Sequence, residues 1–70
     1  MDNREILAMN LRKYRKEKGI SREKFSFESG ISTRFLNEIE NAKCGATLDT
    51  LDKISAATGI PSSRLIEYND

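Results

Sequence analysis

Twenty residues, SREKFSFESGISTRFLNEIE at 21–40, leave this chain little choice of local structure. Ser21 is a good N-cap, with its side-chain oxygen available to the free amides of a first helical turn. Phe25 falls four residues on and faces inward. Gly30 stands where the chain must reverse, and glycine accepts a left-handed backbone at little cost. Ile31 anchors the turn and Ser32 caps the next helix. Phe35, Leu36 and Ile39 then recur at i, i+1 and i+4 as a single apolar stripe. The opposite face carries Thr33, Arg34, Asn37 and Glu38.

Two short helices joined by a glycine turn, the second with a polar outer face, describe a helix-turn-helix unit. Periodicity alone fits any small helical bundle as well, so other features must decide between them. With 70 residues, 37% hydrophobic and 33% charged, the chain suits one small globular domain. No apolar run is long enough to span a membrane, and the opening MDNREILAMN has no secretory apolar segment. The single Cys44 cannot form an internal disulfide, and without histidine a metal site is not expected. A reducing, cytoplasmic location fits this cysteine usage. Net charge is only +1, but it is unevenly spread. Residues 1–43 carry +3 and residues 44–70 carry −2, so the basic excess lies with the helix-turn-helix candidate.

Taken in order, residues 3–18 read as helix 1, with Leu7, Leu11 and Tyr14 facing the core. Gly19 ends it after the basic turn of Arg15, Lys16 and Lys18, and Ile20 packs back inward. Helices 2 and 3 follow. Asn41, Gly45 and a loss of periodicity mark a loop before Thr47, the expected N-cap of helix 4. Leu48, Leu51, Ile54 and Ala57 are expected to form that helix's apolar face, and Gly59 to end it. Pro61 suits the first position of helix 5, where Leu65, together with Ile66, covers the bottom of the core. Residues 68–70 are expected to fray. The expectation is all-α: five short helices around one core, with no strand, repeat or low-complexity segment.

The segments LRKYRKEKGIS at 11–21, SGIS at 29–32, FLNEIENAK at 35–43 and LDTLDKISAATGI at 48–60 together resemble the Cro/C1-type, or XRE-type, helix-turn-helix domain of lambdoid phage repressors and bacterial regulators. The resemblance covers residues 6–66. It implies a lambda-repressor-like fold and a sequence-specific, repressor-like regulator of transcription. It also implies that helix 3 enters the major groove of a double-stranded DNA operator. A single domain of this size makes few contacts, so a homodimer on two half-sites is expected. By the same resemblance Arg15 and Glu40 form an ion pair between helices 1 and 3. The base-reading candidates it gives are Ser32, Thr33, Arg34 and Asn37. Arginine can bond guanine, asparagine can pair with adenine, and the threonine methyl can touch thymine. Phosphate contacts are expected from Ser21, Arg22, Asn41 and Lys43, with Arg12 and Lys16 as weaker candidates and with the amides at the starts of helices 2 and 4. Phe35 is expected to pack mostly inward.

Several residues depart from the family's pattern. Arg22 stands where glutamine is common, so the operator does not follow by analogy. Ser26 replaces alanine and is still small enough for close helix approach. Ala42 replaces a glycine after helix 3, so that turn is expected to differ in detail. Glu38 lies near the reading surface, where it repels phosphate unless it meets a cytosine amino group. Thr58 replaces leucine and is expected to thin the core.

Two other function classes compete. A protein-interaction module of the same fold, such as an antitoxin or anti-repressor, accords with the near-neutral charge and Glu38. An enzyme has little support: there is no histidine, the carboxylates lie on helix faces with no apparent pocket in so small a core, Cys44 lacks a base partner, and no cofactor is expected. Helix 5 and the 60–70 tail, with Ile60, Leu65, Ile66 and Tyr68, are the dimerisation candidates, although the same side chains would serve to seal a monomer core.

Overall fold

Helix starts in this chain are set by side chains that satisfy free backbone amides. The structure, a computed structural model, describes residues 2–68. Helix α1 spans Asn3–Lys18, α2 Arg22–Ser29, α3 Thr33–Glu40, α4 Leu48–Thr58 and α5 Ser62–Leu65. Asp2 accepts from Glu5 N (3.0 Å) and its own N–H donates to Glu5 Oε1 (3.2 Å), a reciprocal capping box. Ser21 accepts from Lys24 N (3.0 Å), Ser32 from Phe35 N (3.1 Å) and Thr47 from Thr50 N (3.2 Å). Only α5 has no side-chain cap. Pro61 sits just before it, one residue earlier than expected, and the missing N–H there is equally harmless.

The core is drawn from every helix: Leu7 and Leu11 of α1, Phe25 of α2, Leu36 and Ile39 of α3, Leu51 and Ile54 of α4, and Leu65 of α5. Ile31 fills the α2–α3 turn. Each such side chain contributes about 1.5–3 kcal/mol when fully removed from water. Tyr14 closes one side of the core, its ring edge-on to Phe25 with centroids 5.9 Å apart. Helix α1 packs on α3 and α5, α2 on α3 and α4, and α4 on α5. The α2–α3 pair is thus wedged between two other layers.

Polar groups set the turns. At the α2–α3 corner Gly30 is left-handed (φ 74°), Ser26 Oγ donates to Ile31 O, and Ser29 Oγ accepts from Ile31 N (3.3 Å). The hydroxyl of Ser26 thus fastens the corner, a use that an alanine lacks. Thr58 Oγ1 donates to Ile54 O (2.8 Å) and accepts from Ile60 N (3.1 Å), turning the chain out of α4. Asn10 is buried on α1, and its side-chain amide donates to the carbonyls of Leu65 (2.8 Å), Glu67 (3.0 Å) and Arg64 (3.5 Å). One side chain thereby ties α5 and the following residues to α1. Periodicity had no means of finding this contact, which spans more than fifty residues of sequence.

The expected apolar face of α4 needs correction. Leu48 is 81% exposed, and Thr50 is buried in its stead. At about 100° per residue, Leu48 lies about 120° around the helix from Ile54, whereas Thr50 lies only about 40° away. Thr50 Oγ1 shares a hydrogen bond with Thr47 Oγ1 (3.1 Å), which satisfies its hydroxyl there. Ile66 is also more exposed than a core-covering role requires. Of the segment expected to fray, Tyr68 is 55% exposed, and positions 69 and 70 lie outside the described residues.

Candidate nucleic-acid interface

Helix α3 presents two unlike faces because its apolar residues are spaced for a single stripe. Leu36 and Ile39 are fully buried and Phe35 is half-buried against the core. Thr33 and Arg34 project from the first turn and are exposed. Ser32 is exposed too, but its hydroxyl already accepts the Phe35 amide. Asn37 is half-buried. Its Oδ1 accepts from Asn41 Nδ2 (3.1 Å), which also donates to Asn37 O (2.9 Å). One Oδ1 lone pair and both Nδ2 hydrogens of Asn37 remain for another partner. Thr33, Arg34 and Asn37 therefore share the N-terminal part of one helix face, with Asn41 one turn beyond.

The helix is held from behind by a buried ion pair. Arg15 Nη2 lies 2.6 Å from Glu40 Oε1, and Arg15 Nε lies 2.7 Å from Oε2. This two-point fork links α1 to the last residue of α3. The Glu40 side chain is 1% exposed. Its hydrogen bonds hold the Arg15 guanidinium above its ordinary pKa, against partial burial that acts the other way. Arg15 Nη1 also donates to Ile20 O (3.3 Å), reaching the segment that enters α2.

The expected phosphate contacts are differently disposed. Ser21 is exposed at the start of α2, where its hydroxyl accepts the Lys24 amide. Arg22 does not project freely: its Nη2 lies 3.5 Å from Glu40 Oε1, and its Nε is buried. Lys43 is exposed and forms no ion pair among the described residues. Arg12 folds back toward Ala8 O (3.4 Å). The start of α4 carries the exposed Asp49 in its first turn, which counters its appeal to an anion. Glu38 is half-buried, and its charge helps to raise the pKa of Cys44, after the larger effect of that thiol's burial.

The chain leaves α3 through a Schellman turn. Lys43 N donates to Glu38 O (2.9 Å) and Ala42 N to Ile39 O (3.0 Å), the paired bonds that ordinarily place glycine at the left-handed position. Here that residue is Ala42, with φ +58°. Outside this region, an open cleft between α1 and the α4–α5 junction is lined by Asn10, Tyr14, Ile60 and Arg64 among others, and it includes no residue of α3. No group of acidic, cysteine or histidine side chains among the described residues is arranged to hold a metal ion. No helix among them is long and apolar enough to cross a membrane.

Comparison with known proteins places the chain in a family. A helix-turn-helix family model matches residues 11–65. The chain is 30% identical over 70 residues to an uncharacterized HTH-type transcriptional regulator, y4dJ, of Sinorhizobium fredii, covering all of this chain and 91% of that protein. It is 35% identical over 63 residues to the control protein C.SmaI of Serratia marcescens, covering 87% of this chain and 75% of that protein. It is 41% identical over 56 residues to the control protein C.MunI of a Mycoplasma species, covering 79% and 76% respectively. No solved structure matches. The chain belongs to the helix-turn-helix family, in its Cro/C1, or XRE, type.

Proposed function

We propose that this protein is a sequence-specific, double-stranded-DNA-binding regulator of transcription that inserts α3 into the major groove and acts as a homodimer, most simply as a repressor. The observation that carries the reading is the exposed Arg34, in no ion pair among the described residues, beside Thr33 on the first turn of a helix whose opposite side is locked into the core. Arg34 suits the two acceptors of a guanine, Thr33 a thymine methyl, and Asn37 an adenine edge. Ser32 lies at the same helix end. Lys43, Asn41 and the amide end of α2 at Ser21 suit phosphates on the flanks of the groove, where contacts orient the protein without reading sequence. The family match and the relatives named as a transcriptional regulator and as control proteins support the same class.

A single copy offers few base contacts, so a second copy on a half-site about one helical turn away supplies the rest. Ile66 and Tyr68, exposed beyond α5, suit the surface between copies, whereas Leu65 is spent on the monomer core. A protein partner is the second reading. Phe27, 90% exposed on α2, is the apolar side chain that such a partner would cover.

The test is selection of bound sequences from a pool of random duplexes, repeated at two salt concentrations. Recovery of an inverted repeat with half-sites one turn apart, bound with steep salt dependence, is the expected result. Failure to enrich any sequence, with weak and salt-insensitive binding, would shift the weight to a protein partner.

A further inference from the structure

The two helices of the motif form a V whose closed end is the Gly30 corner, fastened by Ser26 and Ser29. Its open ends are Arg22, the first residue of α2, and Glu40, the last residue of α3. These two residues face one another. Arg22 Nη2 lies 3.5 Å from Glu40 Oε1, the same oxygen that takes Arg15 Nη2 at 2.6 Å. We propose that Arg22 is a positioning residue: it clamps the open end of the V through Glu40, so that α1, α2 and α3 meet at one carboxylate and the angle of the reading helix is set at both ends.

Two observations favour this role over a direct phosphate contact. A cation on the first turn of a helix faces the positive end of the helix dipole, an unfavourable place unless an anion is near. The near anion is Glu40, 1% exposed and reached from both sides. The Arg22 side chain is also half-buried at 35% exposure, and its Nε, out of contact with water, has no hydrogen-bond partner among the described residues, so the guanidinium lies against Glu40 rather than standing out toward a phosphate. The clamp therefore replaces a contact to DNA by a contact that orients α3, and the start of α2 is left to meet phosphate through its backbone amides and Ser21.

The test has two arms. The first needs no DNA. Thermal unfolding of the whole chain is compared for Arg22→Gln, Glu40→Gln and the double variant. Arg22→Gln is expected to lower Tm in the parent and to leave it unchanged once Glu40 is glutamine. Additive effects overturn the clamp. If Glu40→Gln does not fold, Arg22→Lys, which keeps the charge, is compared with Arg22→Gln and Arg22→Met, which remove it. A loss in the glutamine and methionine variants that lysine partly restores supports the clamp. A loss of the same size in all three overturns it.

The second arm rests on the DNA-binding reading and uses a duplex recovered by the selection described above. Arg22→Gln is expected to weaken binding about three- to tenfold, in keeping with the usual coupling between neighbouring groups. The slope of log affinity against log salt should change by less than half the roughly 0.9 that each lost phosphate contact removes. Lys43→Gln, as the control, should lower that slope by the full amount. A full loss of slope in Arg22→Gln, or no change in affinity, overturns the positioning role. A parent chain that binds no duplex while the first arm shows coupling refutes the DNA reading and supports the clamp.

Discussion

Replacing Ala42 by glycine should stabilise the domain, although it removes a side chain. Ala42 holds φ +58° in the turn that ends α3, and both of that turn's bonds, to Ile39 O and Glu38 O, require this backbone. A left-handed conformation costs an L-residue about 1–2 kcal/mol, which glycine avoids. Glycine in turn loses about 0.4–1 kcal/mol more chain entropy on folding than alanine does. Central values of about 1.5 and 0.7 kcal/mol leave about 0.8 kcal/mol in glycine's favour. For a domain of this size, 1 kcal/mol moves Tm by about 4–8 °C, so Ala42→Gly should raise it by about 3–6 °C. Thermal unfolding followed by far-ultraviolet circular dichroism measures this directly. A second variant, Ala42→Val, places a β-branched residue at the same backbone and should lower Tm. An unchanged or lowered Tm in Ala42→Gly would refute this balance and mean that the left-handed penalty at Ala42 does not exceed the entropy cost of glycine.

Other residues make separate claims. Leu36→Ala should cost about 2–5 kcal/mol, because Leu36 is fully buried between α3 and the rest of the core; chemical denaturation checks this, and a stable variant would contradict that burial. Asn10→Ala removes up to three hydrogen bonds to the carbonyls of Arg64, Leu65 and Glu67 and should cost about 1–3 kcal/mol, with faster amide exchange confined first to α5. Arg34→Ala should reduce discrimination between operator sequences by about 1–3 kcal/mol, whereas Lys43→Ala should weaken all sequences alike; competition binding with matched and mismatched duplexes separates the two. Burial, with a smaller contribution from Glu38, raises the Cys44 thiol above its ordinary pKa. The folded state therefore favours the neutral thiol, and this contribution to stability is complete below the unfolded pKa and lost as pH rises through the folded one. Alkylation of Cys44 should need a higher pH in the native chain than in urea, and coincident pH profiles would exclude the shift.

What the sequence disclosed was chiefly what is local. Ser21, Ser32 and Thr47 cap helices because each needs only an amide three residues away, and Gly19, Gly30 and Gly59 reverse the chain through their own dihedral angles. The core stripe of Leu36 and Ile39 was legible for the same reason. Leu48 was misassigned because a three-residue spacing drifts around a 3.6-residue helix, and at a helix start the drift carries it off the buried face. Asn10 gave no signal, since its carbonyl partners are brought near only by the completed fold. The contact between Arg22 and Glu40 is of the same kind: an arginine that begins one helix and a glutamate that ends the next meet only once the V has closed. At Ala42 the missing glycine pointed to an altered turn, but the turn keeps the left-handed φ and the paired bonds that a glycine would give, because those two bonds hold the backbone there.

Helices α2 and α3 are eight residues each, shorter than the roughly 12–15 that even favourable sequences need to persist alone in water. The proposed reading surface thus has no existence apart from the cooperative unit formed around Phe25, Leu36 and Ile54. If the proposed function holds, operator occupancy falls with the fraction of molecules that are folded, and for each copy a half-folded population shows twice the apparent Kd whatever its side chains offer the groove. Warming such a regulator would release its operator abruptly, near the melting of the core, rather than gradually. Substitutions that touch no base, deep among these leucines and isoleucines, would therefore act as temperature-sensitive switches of binding.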